Sequence, residues 1–179
     1  MHCSPEYQKQ QEKLHKKGNY GVIGQRYGKT VGQVMDTMEI DHLLDYGCGK
    51  NLSLTKTLKP KRKFKYQAYD IGVPKYCKDP VPAQMVACID VIEHIEPDYL
   101  EDVLDHLEEL TEEVLFISVH TGPAGKVLDD GRNAHLIQQP MEWWMPKLSE
   151  RFTIQSVQTI SKVQFYAICL HKDAELPDE

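Results

Sequence analysis

The chain has 179 residues, of which 41% are hydrophobic and 27% charged, with a net charge of -6. These values fit one globular domain and argue against extensive disorder, a membrane span or a protein that coats nucleic acid. The polar, lysine-rich start does not resemble a secretory signal, and the five scattered cysteines contain no C-x-x-C pair, so we expect a cytoplasmic protein with reduced thiols.

The N-terminal stretch is predicted to be a polar helix over residues 4–17. Ser4 is a suitable N-cap, Pro5 fits the first helical position, and Gly18-Asn19 would end the helix. Because the stretch has few apolar residues, we expect this helix to lie on the surface.

Two further segments precede the first strand. Residues 19–28 are rich in glycine and tyrosine, which is compatible either with a flexible connector or with a lid over a ligand. Residues 30–38 have the apolar spacing of a short helix.

Apolar runs of strand length alternate with helical patterns through the rest of the chain. We predict strands over residues 40–45, 64–70, 84–89, 114–119, 152–160 and 162–170, the last two as an antiparallel hairpin. We predict helices over residues 52–58, 99–110 and 140–150. Asp98 and Glu101 would form a capping box at the second of these helices, and Pro146 would break or kink the third.

Three acids and a glycine pair mark the ends of the predicted strands. Asp45, Asp70 and Asp90 each end a strand, and Gly47 and Gly49 follow the first of them. Ligands of open α/β sheets bind beyond the carboxyl ends of the strands, near the point where the strand order reverses. The acids would therefore line one crevice.

Together, Asp45-Tyr46-Gly47-Cys48-Gly49, Asp70 and Asp90-Val91-Ile92-Glu93-His94 resemble the class I S-adenosylmethionine-dependent methyltransferase family over about residues 40–120. The resemblance implies a Rossmann-like doubly wound α/β fold with a mostly parallel sheet and a C-terminal antiparallel hairpin. The strand order would be 3-2-1-4-5-7-6, with the third strand reduced or missing because residues 71–83 leave little room for it. We expect one domain over residues 1–179, made of a helical or lid segment (1–38), a sheet core (39–170) and a polar tail (171–179).

The resemblance also implies S-adenosylmethionine as cofactor. Asp70, which follows Asp45 by 25 positions, would accept the ribose hydroxyl protons, and Ile71 would lie against the adenine. The remaining cofactor-binding residues would be Asp45, Gly47, Gly49, Cys88 and Asp90, around the methionine part. A dinucleotide-binding loop is less well matched because Leu52 stands where it would have a third glycine. Asn51 replaces a glycine that is frequent in the family, and asparagine tolerates the left-handed conformation.

The resemblance implies an enzyme, and the candidate catalytic residues are His94, His135 and Glu93, with His120 as a further candidate base. Each histidine is equally compatible with a structural hydrogen bond. Asp90, Glu93 and His94 also have the spacing of a divalent metal site. An ordinary helix start explains these three residues more simply, so no metal site is predicted.

We expect the acceptor to be a small molecule, with the methyl group going to a hydroxyl of a metabolite, sugar or nucleotide. Residues 20–28 and 129–144 would enclose the acceptor, with Trp143 or Trp144 covering it. Basic residues 59–65 form a solvated turn or contact a phosphorylated acceptor. A nucleic-acid methyltransferase is less favoured, because no Asp-Pro-Pro-aromatic motif follows the fourth strand. A protein that binds the cofactor without catalysis is the other alternative.

Overall fold

The computed structural model describes residues 2–16 and 20–174. The helices are α1 (Pro5–Lys16), α2 (Gly28–Thr37), α3 (Leu100–Leu110) and α4 (Met141–Ser149). The strands are β1 (His42–Tyr46), β2 (Lys65–Tyr69), β3 (Ala83–Ile89), β4 (Thr111–His120), β5 (Phe152–Ser161) and β6 (Gln164–His171). Within the described ranges, no helix is both long and apolar enough to cross a membrane.

The six strands form one sheet in the order β2-β1-β3-β4-β6-β5. Strands β1 to β4 are parallel, whereas β6 runs antiparallel to both of its neighbours. The stretch between β2 and β3 contains no strand. This topology confirms the predicted order with its third strand missing and its C-terminal hairpin. Tyr46 pairs with Tyr69 on one side and Cys88 on the other, so three strands end at the same edge.

The central strands of the sheet are buried on both faces, which explains the apolar runs within β1, β3 and β4. Alternate residues of a strand face opposite sides. Leu44 and Val86 accordingly join the core beneath α3 and α4, whereas Leu43 and Met85 join the core beneath α2. The predicted apolar stripe of α3 lies in the first of these cores.

The prediction that the first helix lies on the surface is wrong. Tyr7 is 1% exposed, and Gln11, Leu14 and His15 are also buried. The N-cap prediction is confirmed, because the Tyr7 N–H donates to Ser4 Oγ at 3.1 Å. The predicted stop at Gly18-Asn19 lies outside the described residues.

Two local predictions fail because tertiary contacts replace the expected local ones. Residues 52–58 contain only a short 3₁₀ turn, Ser53–Lys56, against which Gly24 and Gly28 pack closely. The capping box at α3 is absent among the described contacts, since the Glu101 carboxylate instead accepts hydrogen bonds from Lys147 and Arg151.

Other boundaries differ by a few residues from the prediction. Strand β4 begins at Thr111, three residues earlier than predicted, and α4 continues through Pro146 to Ser149 without a break. The basic residues 59–65 lead into Lys65, the first residue of β2. This basic stretch therefore lies at the amino-terminal edge of the parallel strands, opposite the edge where Asp45, Asp70 and Asp90 stand.

Candidate functional site

A cavity of about 350 Å³ lies at the carboxyl ends of the parallel strands. Its lining includes the predicted residues Asp45, Gly47, Asp70, Ile71, Asp90, His94 and His135. Helix α1 and residues 20–24 cover it, through Tyr7, Gln11, His15 and Tyr20 among others. The structure thus brings most of the predicted site residues to one place and adds helix α1, which the sequence predicts to lie on the surface.

Helix α1 is fixed over the cavity by hydrogen bonds to three loops. The Tyr7 hydroxyl donates to the backbone carbonyl of His94, after β3. The Gln8 side chain donates to the Ile71 carbonyl at 3.1 Å, after β2, and the Gln10 side chain donates to Asp130 at 3.0 Å, after β4. Tyr7, Gln11 and His15 are spaced four residues apart, which puts them on one face of the helix, towards the cavity. This spacing is the sequence signal that could have identified the covering helix.

The glycine loop after β1 makes a tight turn against β2. Gly47 has φ of 81°, and its N–H and that of Cys48 both donate to the Tyr69 carbonyl, at 2.8 and 3.0 Å. The left-handed non-glycine residue of the following stretch is Leu52, with φ of 46°, and not Asn51 as the sequence suggested.

Residues 20–24 lie directly on this loop. Gly21 has φ of 69°, and a Cβ built on it would lie 3.2 Å from the Gly49 Cα. A side chain at either glycine would push the two segments apart. The glycines of residues 19–28 therefore allow close packing, which fits a lid better than a flexible connector.

Asp70 is held in place by two backbone N–H groups. Its Oδ2 accepts from Gly49 at 2.9 Å, and its Oδ1 accepts from Gly72 at 2.8 Å. The His15 Nε2 lies 3.6 Å from Oδ1, and burial lowers the pKa of His15, which favours the neutral imidazole. Asp70 is only 7% exposed, and its remaining surface faces the cavity.

Asp45 is the second buried acid of the cavity. Its Oδ2 accepts from the Tyr66 hydroxyl at 2.6 Å. Burial raises the pKa of Asp45 to about 7, against an ordinary value of 3.8. A cation placed beside this carboxyl would favour its charged form.

The other predicted cofactor residues differ in their placement. Asp90 lines the cavity with φ of 52°, and its Oδ1 accepts from Ser118 Oγ at 2.9 Å and from the Gln164 side chain at 3.2 Å. Cys88 is fully buried in the core and is not part of the cavity lining, so its side chain is not at the site. Ile89, the next residue of β3, does line the cavity.

Aromatic rings form a row from Asp70 to the far end of the cavity. The His15 ring contacts that of Tyr20, with 4.8 Å between centroids, and Tyr20 is 5.9 Å from His94. His94 and His135 are 4.5 Å apart, and His120 lies 5.0 Å beyond His135. The cavity therefore has an acidic end and a histidine end.

The hydrogen bonds of His94 and His135 determine which nitrogen carries the proton. A carbonyl oxygen can only accept, so His94 Nδ1–H donates to Ala134 at 2.8 Å and His135 Nδ1–H donates to Gly122 at 2.6 Å. Burial, together with the neighbouring His135, lowers the pKa of His94 to about 3, and burial lowers the pKa of His135 as well. Both rings are consequently neutral near pH 7, with a lone pair on each Nε2.

Glu93 lies behind the histidines and does not line the cavity. It is 0% exposed, and its Oε1 accepts from the backbone N–H of His120 at 2.7 Å. Burial, with the nearby Asp90, raises the pKa of Glu93 well above its ordinary value.

The expected enclosure by residues 129–144 is only partly found. Of that stretch, His135 lines the cavity, whereas residues 123–126 of the same loop contribute four lining residues. Trp144 is fully buried in the core and Trp143 packs against that core. Neither tryptophan reaches the cavity, which contradicts the expectation that one of them covers the acceptor.

Comparison with solved structures identifies several with the same architecture. One of them is Burkholderia thailandensis 1,6-didemethyltoxoflavin-N1-methyltransferase, with 1,6-didemethyltoxoflavin and S-adenosylhomocysteine bound. It is 13% identical to this chain, the match covers 85% of this chain and 80% of that one, and the TM-score is 0.62. The DhpI–SAH complex is 15% identical over 95% of this chain and 99% of its own, with a TM-score of 0.62. The 16S rRNA methylase ArmA is 15% identical over 90% of both chains, with a TM-score of 0.54.

No protein-family model matches the sequence, and a search of the curated proteins finds no match. At these identities the likeness to solved structures establishes the fold. The chain therefore has the fold of the class I S-adenosylmethionine-dependent methyltransferases, as the sequence predicted.

Proposed function

We propose that this protein is a methyltransferase that binds S-adenosylmethionine and methylates a hydroxyl of a small-molecule acceptor. The observation that carries the proposal is the cavity in which the glycine loop places Asp45 and Asp70 at the carboxyl ends of neighbouring strands. The methyltransferase fold supports it, since two of the similar structures hold S-adenosylhomocysteine.

The acidic end of the cavity fits the polar groups of the cofactor. A carboxylate offers about four acceptor positions, and the Gly49 and Gly72 N–H groups use one on each oxygen of Asp70. Asp70 therefore keeps acceptor capacity for the ribose hydroxyls, while Ile71 supplies an apolar surface beside it for the adenine.

Asp45 and Asp90 fit the cationic, methionine end of the cofactor. Burial raises the pKa of Asp45, and the nearby Asp70 raises it further. An ammonium beside Asp45 would favour its charged form and offset these effects. Gly47 lines this part of the cavity without a side chain, whereas Gly49 contributes through its N–H, which holds Asp70.

Bound S-adenosylmethionine supplies a sulfonium methyl group, which passes to the acceptor oxygen while the sulfur keeps the electron pair of the broken bond. The chain itself must position the acceptor and take up its proton. Of the candidate bases, His135 has an Nε2 lone pair at the histidine end of the cavity, whereas the strongly lowered pKa of His94 suits that imidazole to hold the acceptor hydroxyl rather than to take its proton. Glu93 would help to position this end of the cavity, because its Oε1 accepts a hydrogen bond from the backbone N–H of His120.

A small acceptor is favoured by the covering helix. Helix α1 and residues 20–24 contribute lining residues over the cavity, and the hydrogen bonds of α1 to the surrounding loops favour an acceptor small enough to fit inside. The basic residues 59–65 lie at the opposite edge of the sheet and give no support to a nucleic-acid acceptor.

The Asp70 assignment is tested by calorimetry of S-adenosylhomocysteine with the Asp70→Ala variant. Loss of an acceptor shared by two hydroxyls should weaken binding by about 2–4 kcal/mol. Asp41→Ala, which removes an exposed acid before β1, should bind like the wild type. Equal affinity of Asp70→Ala and Asp41→Ala would contradict the role given to Asp70.

The acceptor is tested by mass spectrometry of S-adenosylhomocysteine formed from S-adenosylmethionine. The protein is incubated separately with a small-metabolite fraction and with purified RNA. We expect product with the metabolite fraction. Product with RNA alone would refute a small acceptor, and product with neither would favour a binding protein without catalysis.

A further inference from the structure

We propose that Glu93, His94 and His135 bind a divalent transition-metal ion at the histidine end of the cavity. Binding of the ion does not depend on the proposed function, whereas its role in methyl transfer rests on it. Three observations support the site, namely the distances between the ligand atoms, the orientation of the two imidazoles and an unpartnered carboxylate oxygen.

The three side chains converge although they come from two separate loops. One ligand atom of each lies within 4.8 Å of the others. Metal–ligand bonds to histidine and carboxylate are about 2.1 Å long, so one ion can join atoms up to roughly 4.2 Å apart. A small inward movement of one side chain would complete the set.

The imidazoles of His94 and His135 are already oriented as metal ligands. Each donates Nδ1–H to a backbone carbonyl, Ala134 in one case and Gly122 in the other. Metal-binding histidines almost always have their second nitrogen held in this way, because it fixes the tautomer and turns the other lone pair towards the metal. Both histidines line the cavity, so an ion held between them would border it.

Glu93 supplies an independent indication of a missing partner. It is 0% exposed, and the His120 N–H holds its Oε1, but its Oε2 has no hydrogen-bond partner among the described residues. An unpaired polar atom in the interior is costly, and its presence calls for an explanation such as an ion. A metal bound to Oε2 provides one.

The donor set indicates the kind of metal. Two imidazoles and one carboxylate suit zinc or iron(II), whereas manganese, magnesium and calcium prefer sites built of oxygen ligands. The sequence interpretation had considered Asp90 with Glu93 and His94. In the structure Asp90 is engaged by Ser118 and Gln164, and His135 completes the cluster instead.

An ion at this position would occupy the Nε2 lone pairs of His94 and His135 and would act on the acceptor hydroxyl in their place. Three protein ligands leave further coordination positions, which would be open towards the cavity. Coordination lowers the pKa of a hydroxyl, so its proton passes to solvent near neutral pH. The resulting oxygen then forms a bond to the methyl carbon, and the carbon–sulfur electron pair stays on sulfur, which becomes a neutral thioether.

The test is a titration of the chelator-treated protein with cobalt(II), followed by visible absorption and calorimetry. Wild-type protein should bind one equivalent, with the absorption bands of a nitrogen- and oxygen-bound ion. Glu93→Gln and His135→Gln should each weaken binding at least about tenfold, because each removes a direct ligand. His42→Gln, at the opposite edge of the sheet, serves as the matched control and should bind like the wild type.

Thermal unfolding of the metal-free variants establishes that they are folded. Absence of saturable cobalt binding would overturn the inference, as would equal affinity of the wild type and both ligand variants. Calorimetry with S-adenosylmethionine on the same samples separates the two proposals. Cofactor binding without cobalt binding contradicts the metal site alone, and cobalt binding without cofactor binding contradicts the proposed function alone.

Discussion

The buried carboxyl of Asp45 should make the folded protein less stable as the pH rises towards neutrality. Asp45 is 3% exposed, and burial raises its pKa to about 7 from an ordinary value of 3.8. Because the pKa is higher in the folded state, that state binds more protons than the unfolded chain between these two values. The contribution of Asp45 to stability therefore falls as the pH rises through this window and stays low above about 7.

The size of this effect follows from the difference in pKa. About three pKa units correspond to about 4 kcal/mol in total, at 1.36 kcal/mol per unit. The part that falls between pH 5 and pH 8 is about 2.5 kcal/mol. Asp45→Asn removes the titration while keeping an oxygen that can accept from the Tyr66 hydroxyl.

Urea unfolding of ligand-free wild type, Asp45→Asn and Asp41→Asn between pH 5 and pH 8 measures this contribution. The stability of Asp45→Asn relative to the wild type should increase by about 2.5 kcal/mol across the range. Asp41→Asn, which alters an exposed acid, is the control for general charge effects. A difference between Asp45→Asn and the wild type that does not change with pH would refute the reasoning.

Two further predictions concern the segments that cover the cavity. Gly21→Ala should lower the free energy of unfolding by about 1–2 kcal/mol, because alanine is strained in the left-handed conformation of this residue. The same variant should bind S-adenosylhomocysteine more weakly, because the new Cβ approaches Gly49. Gly131 has a similar left-handed φ of 88°, but no atom lies within 4 Å of a Cβ built on it, so the Gly131→Ala variant should lose stability and keep its affinity for S-adenosylhomocysteine. Equal affinity of the Gly21→Ala and Gly131→Ala variants would refute the argument that Gly21 packs against Gly49. Tyr7→Phe should cost about 1 kcal/mol by leaving the His94 carbonyl without its donor. Amide hydrogen exchange in α1 should be faster in that variant, and unchanged exchange would contradict the account of how α1 is held.

The sheet and its acidic edge could be predicted because their signals are local. Strands buried on both faces contain apolar runs, and Asp45 and Asp90 stand where two of these runs end, while Asp70 directly follows β2. The missing third strand was predictable too, since the chain between β2 and β3 is too short to hold a helix and a strand.

The position of α1 could not be predicted from its apolar content. Its buried face consists of Tyr7, Gln11 and His15 as much as of apolar residues, and its attachments are hydrogen bonds to loops far away in the sequence. Hydrophobic periodicity gives little weight to such a face. Polar residues spaced four apart were the available signal.

The members of the cluster of Glu93, His94 and His135 could not be predicted from the sequence either. His94 follows Glu93 directly, but His135 comes from a long loop after β4 and meets them only through tertiary folding. Asp90 was the nearer candidate in sequence. Its left-handed backbone and its bonds to Ser118 and Gln164 direct it elsewhere.

Calorimetric titration of the wild-type protein with S-adenosylmethionine, and separately with NAD, tests the central claim most directly. The account predicts saturable binding of one S-adenosylmethionine per chain and no binding of NAD, because Asp45 and Asp70 suit an ammonium and a ribose and would repel a pyrophosphate. Saturable binding of NAD without binding of S-adenosylmethionine would contradict it.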